Sequence, residues 1–313
     1  MPRLILHLLR LSALIALCGL AGCATTKELV AKSKEPPADV DIVIVAGQSN
    51  AVGFDSDPSK LPRDSADKKI LFWWRCGDPL PDDHDSTSGG KWTRLQPQPR
   101  GNPIQTNKPF ASRQYGNFAN PKGGFGPEIS FARALYHKEG RNLAVVKVAF
   151  SGTGMRTGWN PLDPGDGGAC YRSLLKETQT AIAAAQLKGL KPHVRALVWV
   201  QGESDANAGD APNYAKSLAS MLDALRKGLN EPKMIALLGI NTRNGEGKNP
   251  FIRIIIEAQK FAAALDSRAA YVDTSAATIA NDAHWNTKGT LAVGAWFAEA
   301  LWKMETPVKA PVR

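Results

Sequence analysis

The strongest constraint on the fold is a rhythm of short apolar runs. Val40–Ala46 (VDIVIVA), Lys69–Trp73, Leu143–Phe150 (LAVVKVAF), Val194–Val200 (VRALVWV), Met234–Ile240 (MIALLGI) and Ala270–Asp273 read as strands. Runs this continuous suit a parallel sheet covered on both faces, because neither side of such a strand meets water. Between them lie helical segments: Glu128–Glu139, Tyr171–Leu187, Pro212–Leu229, Phe251–Leu265 and Thr287–Met304. In the first, apolar residues recur at Ile129, Phe131, Ala132, Leu135 and Tyr136; Pro127 suits its first turn and Gly140 its C-cap. Strands alternating with helices imply a three-layer α/β/α sandwich around a parallel sheet.

Residues 75–126 break this rhythm, with many Pro, Gly, Asp and Asn and no clean periodicity. The stretch is long for a loop and too poor in apolar residues for a second domain. It is predicted to be an insertion over one end of the sheet, with Trp92, Phe110, Tyr115 and Phe118 either pinning it down or lining a substrate groove.

Ligands of open parallel sheets bind beyond the carboxyl ends of the strands, so the residues just after each strand are the informative ones. The first strand leads into Gly47-Gln48-Ser49-Asn50-Ala51, and the third into Ser151-Gly152-Thr153-Gly154. The fourth leads into Gln201-Gly202-Glu203-Ser204-Asp205, and the last into Asn281-Asp282-Ala283-His284-Trp285-Asn286. A serine hydrolase needs a nucleophile, a base beside it, a group that orients the base, and donors for the oxyanion. Ser49, on a sharp strand-to-helix turn, fits the nucleophile, and His284 fits the base. Asp282 is the candidate to orient the imidazole. The N–H groups of Ser49 and Gly152 and the Gln201 side-chain amide are the candidate oxyanion donors, with Gln48, Asn50, Glu203 and Asp205 in support. Taken singly each has a plainer reading: a serine after a strand often caps a helix, and a glycine pair often makes a turn. What favours the catalytic reading is that four polar motifs follow four strands and together supply every part of one mechanism.

The chain has 313 residues, 43% hydrophobic and 22% charged, enough apolar material for a sizeable core. Its first 22 residues have the layout of an export signal: Arg3, an apolar run from Leu4 to Leu20 broken by Arg10, and no acidic residue. Leu20-Ala21-Gly22-Cys23 resembles the lipobox of bacterial lipoproteins, which implies cleavage before Cys23, lipidation of its thiol and a membrane anchor. Ala24 at the next position implies an outer-membrane destination in the cell envelope. Residues 23–39 then read as lipidated cysteine and tether, 40–304 as the domain, and 305–313 as a tail. Net charge is +10 and falls to +8 once Arg3 and Arg10 leave with the signal. No dense basic cluster or nucleic-acid motif accompanies it, so nucleic acid is not expected as a partner. Of four cysteines, Cys76 and Cys170 remain in the domain, and an oxidising compartment leaves a disulfide between them open. No Cys/His cluster suggests a metal.

The segments Ile44–Asn50, Gly124-Phe125-Gly126-Pro127-Glu128, Ser151-Gly152-Thr153, Trp199–Asp205 and Asp282–Asn286 together resemble the SGNH hydrolases. Within them the chain is most similar to the sialate O-acetylesterase and acetyl xylan esterase group, carbohydrate esterase family 6, over about residues 40–303. The resemblance implies a flavodoxin-like fold and a Ser–His–Asp site without cofactor or metal. It carries over Ser49 as nucleophile, His284 as base, and Gly152 and Gln201 as oxyanion donors. The wider SGNH pattern has its acid three residues before the histidine, where this chain has Asn281; Asp282 lies two before, and Glu203 or a backbone carbonyl are the other groups that could orient His284. The expected function is hydrolysis of O-acetyl esters on a carbohydrate such as sialic acid or xylan, through an acetyl-serine. The alternatives are a non-catalytic glycan-binding lipoprotein, a glycan O-acetyltransferase on the same fold, and a lipase or thioesterase of the wider superfamily.

Overall fold

The computed structural model describes residues 37–102 and 118–306. The export signal, Cys23, most of the tether, Phe110, Tyr115 and the tail from residue 307 lie outside the described residues. From Asp39 on, the described chain belongs to one compact unit.

Among the described residues eight strands form one sheet: β1 (Ala38–Gly47), β2 (Leu71–Gly77), β3 (Ser86–Thr87), β4 (Thr93–Arg94), β5 (Leu143–Phe150), β6 (Leu190–Val200), β7 (Ile235–Gly239) and β8 (Ala269–Tyr271). Their order is β3-β2-β5-β1-β6-β7-β8, with β4 also on β2. The pairs β1–β5, β2–β5, β6–β7 and β7–β8 are parallel, and only the two-residue β3 and β4 run antiparallel. The helices are α1 (Ser49–Val52), α2 (Glu128–Glu139), α3 (Ala169–Gln186), α4 (Tyr214–Leu229), α5 (Phe251–Leu265) and α6 (Thr287–Glu305).

Side-chain alternation along β1 shows how the layers form. Val40, Ile42, Ile44 and Ala46 face a core shared with α3, α4 and α5. Val43 and Val45 face the other core, shared with α1, α2 and α6. Both faces are dry, which is why the strands read as unbroken apolar runs. The expected sandwich is therefore present. Helix boundaries fall within two residues of those predicted, and β2 extends three residues into the predicted insertion because Arg75, Cys76 and Gly77 continue its pairing with β5.

The same two-sided packing excludes the disulfide. Cys76 belongs to the core under α2 and α6, Cys170 to the core under α3 and α4, so the sheet stands between them. Both are free thiols, and burial pushes each up to about 12. Two of its described aromatics pin the insertion: Trp92 stacks edge-on against Trp73 at 5.7 Å and donates to Ala181 O at 3.0 Å, and Phe118 is fully buried.

At the carboxyl end of β1 two glycines bend the chain sharply. Gly47 has φ +137°, and a Cβ there would lie 1.9 Å from Val200 O of the neighbouring strand. Gly53 ends α1 after one turn with φ +83°, and a Cβ there would lie 1.8 Å from Phe125 O. No other residue tolerates both the conformation and the contact. The chain therefore rises from β1, makes a single helical turn and comes straight back over the sheet edge.

Beneath that turn lies a buried ion pair. Lys147, midway along the apolar β5, donates to Glu128 Oε1 at 2.9 Å, Val52 O at 2.8 Å and Gln98 Oε1 at 2.5 Å. Neither charged side chain has any exposed surface. Glu128 Oε1 also accepts from Gly126 N and Gln98 Nε2. One ammonium thus joins the end of α1, the start of α2 and the insertion. Removing one partner of such a pair strands a charge, whereas removing both need not. Lys147→Met is expected to cost about 3–5 kcal/mol in denaturant unfolding, and Lys147→Met with Glu128→Leu to recover part of that; equal loss in both variants would contradict the ion-pair account.

Candidate active site

Ser49 is the first residue of α1. Gln48, not Ser49, holds the N-cap position, so the serine is free of the capping role its sequence context also suggested. The Ser49 side chain makes no hydrogen bond among the described residues. The next residue joins this turn to the histidine loop: Asn50 Nδ2 donates to Ala283 O at 3.0 Å, and Asn50 Oδ1 accepts from Trp285 N at 3.0 Å. The residues on either side of His284 are thus tied to the residue after Ser49. Phe54 packs on the imidazole, ring centroids 4.5 Å apart.

His284 Nδ1 lies 2.8 Å from Asp55 Oδ2. A carboxylate at Nδ1 fixes the proton there and leaves the lone pair on Nε2, the arrangement a general base needs. Asp55 follows Gly53 on the returning strand of chain. That loop is held by Asp57 N donating to Thr287 Oγ1, Phe125 N to Ser56 Oγ, and Ala119 N to Phe54 O.

The carboxylate that meets His284 is therefore Asp55, and the expectation that Asp282 orients the imidazole is corrected. Asp282 is exposed, and its recorded hydrogen bond is through its backbone oxygen to Gly245 N. Asn281 joins Asp55 to the histidine loop. Its Oδ1 accepts from Ala283 N and His284 N, while its Nδ2 donates to Asp55 Oδ2 at 2.9 Å. Partial burial opposes the Asp55 charge, but hydrogen bonds from His284 and Asn281 and the imidazole's charge outweigh it, holding the carboxyl below its ordinary value. The stability this contributes is present above the ordinary carboxylate range and is lost as pH falls through the lowered value.

Two expected oxyanion donors remain available and one does not. Neither Ser49 N–H nor Gly152 N–H takes an acceptor among the described residues, and Gly152, at φ +68°, borders open space. The Gln201 amide is fully buried and already committed: Nε2 donates to Thr153 O at 2.9 Å and to Asp205 Oδ2 at 2.5 Å, with Gln48 Oε1 at 3.4 Å. Its hydrogens are taken, so the expectation that it meets the oxyanion is corrected. Instead it braces the turn after β5, together with Asp205, which accepts from Met155 N at 2.9 Å. Burial pushes Asp205 up to about 6, against these hydrogen bonds. Gln48 Oε1 also accepts from Ser204 N at 3.2 Å, so the supporting residues cross-link the loops after β1, β5 and β6.

Trp159 and Trp285 are core residues. Trp159 is fully buried edge-on to Trp199 at 5.0 Å and donates to Thr153 Oγ1, while Trp285 is 2% exposed. Among the described residues no group of three His, Cys, Asp or Glu side chains is placed to hold a metal ion.

Residues 39–303 match the family model of the carbohydrate esterases described as sialic acid-specific acetylesterases. The chain belongs to this acetylesterase family. No curated protein matches the acetylesterase significantly. Among solved structures, a protein from Arabidopsis thaliana is 20% identical, with TM-score 0.59 over 86% of this chain and 99% of its own. NanS is 17% identical, with TM-score 0.58 over 86% of this chain and 98% of its own. A carbohydrate acetylesterase from Xanthomonas citri is 17% identical, with TM-score 0.51 over 86% of this chain and 57% of its own. These likenesses show a shared fold, and the family match makes the chain a carboxylic ester hydrolase.

The carboxylate that meets His284 was missed because Asp55 lies in the loop that Gly53 turns back, among Asp55-Ser56-Asp57, 229 residues before that histidine. The available signal was Gly53 itself, a left-handed stop after a single turn. Asp55→Asn is expected to lower kcat by about 10²–10⁴ with little change in KM, because the imidazole loses its orientation and tautomer. Asp282→Asn is expected to stay near wild type, and steady-state kinetics on an aryl acetate separates the two; the reverse ranking would contradict the assignment.

Proposed function

We propose that this esterase removes O-acetyl groups from a carbohydrate through an acetyl-Ser49 intermediate. The observation that carries the reading is the Asp55–His284 hydrogen bond held against the Ser49 turn by Asn50. His284 Nε2 takes the proton from Ser49 Oγ as that oxygen attacks the acetyl carbonyl carbon. The oxyanion is held by Ser49 N–H and Gly152 N–H. Protonated His284 gives its proton to the sugar oxygen as the C–O bond breaks, leaving acetyl-Ser49 and the freed hydroxyl. Water, deprotonated by the same imidazole, then releases acetate and restores Ser49. Asp55 stays ionised and stabilises the imidazolium in both steps.

The N-terminal sequence supports a further part of the proposal, that the enzyme is exported and anchored by lipid at Cys23 in the cell envelope. Intact mass of protein extracted from membranes tests this separately from catalysis.

For the reaction, acetate release from an aryl acetate and from acetylated glycans is compared between wild type and Ser49→Ala. The expected outcome is that Ser49→Ala folds as wild type by circular dichroism and loses turnover by at least about 10⁴. Turnover by a folded Ser49→Ala protein would remove the acetyl-serine from the mechanism.

A further inference from the structure

The loop that carries His284 is held by more than Asn50. Ala283 O, the carbonyl just before the base, accepts two side-chain amides: Asn50 Nδ2 at 3.0 Å and Asn241 Nδ2 at 3.0 Å. Asn241 follows β7 and is 1% exposed. Both asparagines are themselves anchored on one atom. Glu203 Oε1 accepts from Asn50 Nδ2 at 2.9 Å and from Asn241 N at 3.0 Å. The second Asn241 group is also used, its Oδ1 accepting from Arg243 N at 3.1 Å.

We infer that Glu203 and Asn241 are positioning residues for His284, acting through the Ala283 carbonyl. The inference rests on His284 being the base of the proposed reaction. Glu203 has no recorded hydrogen bond to His284 or Ser49, so it is not a catalytic residue. Its carboxylate gathers the loops after β1, β6 and β7 onto one oxygen, and the two amides it aligns converge on the residue before the base. Asn241 supplies the second donor with a side chain that only an amide reproduces: leucine fills the space without the donor, and aspartate turns an oxygen towards the carbonyl.

Misplacing a base by about 1 Å can cost about 10²-fold in rate. Wild type, Ser49→Ala, Asn241→Leu, Asn241→Asp, Glu203→Ala and Glu203→Gln are compared on an aryl acetate, with the fraction of competent sites counted by slow titration with a fluorophosphonate. The expected result is that Asn241→Leu, Asn241→Asp and Glu203→Ala retain titratable Ser49 and lose about 10–10²-fold in kcat per titrated site, with KM unchanged. Glu203→Gln, whose amide oxygen can take the place of Oε1, is expected to retain most of the wild-type kcat. If the variants lose titratable sites while each remaining site keeps the wild-type kcat, the network is structural only and the inference is overturned. Full kcat in Asn241→Leu or Glu203→Ala overturns it equally. An inactive wild type, or an active Ser49→Ala, would instead remove the proposed reaction, so the two failures are told apart.

Discussion

The side-chain amide of Asn50 is the joint on which the site depends. Its donor reaches Glu203 and the Ala283 carbonyl, and its acceptor takes Trp285 N. Ser49 and His284 come from opposite ends of the described sequence, and Asn50 joins their loops. Burial of those loops alone would bring them near each other without fixing a distance. Hydrogen bonds are directional, and in a buried setting an unmade one is costly, so a single amide bonded on three sides sets a geometry that apolar packing does not. The residue that does this sits beside the nucleophile, so any error in its placement is passed to Ser49 through one peptide unit.

Support for that turn comes from below as well. Lys147 holds the carbonyl that ends α1, and Gly53 then redirects the chain so that Asp55 arrives at His284. Gln201 and Asp205 brace the turn bearing Gly152. The polar groups of the conspicuous motifs therefore divide between chemistry and scaffolding, and most of them scaffold. Gln201 is fully enclosed, while His284 and Asp55 keep some contact with solvent.

The sheet, its helices and the edge where the site lies were legible because both faces of the sheet are dry, and that leaves long apolar runs in the sequence. Ser49, Gly152 and the supporting residues stood out as candidates because they follow strands within a few residues, where side chains meet whatever lies beyond the sheet, and His284 because it lies in the polar loop between β8 and α6. Asp55 was not, because local spacing favoured Asp282 and nothing local reveals that a chain turned back by Gly53 meets a loop more than two hundred residues later. Gln201 was assigned a donor role from its motif, but a sequence does not show that its hydrogens are already taken. Cys76 and Cys170 left a pairing open because a sequence does not say on which face of a sheet a thiol sits. In each case the missing information was long-range geometry.

The most direct test of this account is proton NMR of the His284 Nδ1–H in water. A proton shared between an imidazole and a buried carboxylate resonates far downfield of ordinary amides. The account predicts such a signal in wild type, its persistence in Asp282→Asn, and its loss in Asp55→Asn and in His284→Ala. A signal that survives Asp55→Asn and disappears in Asp282→Asn would contradict it.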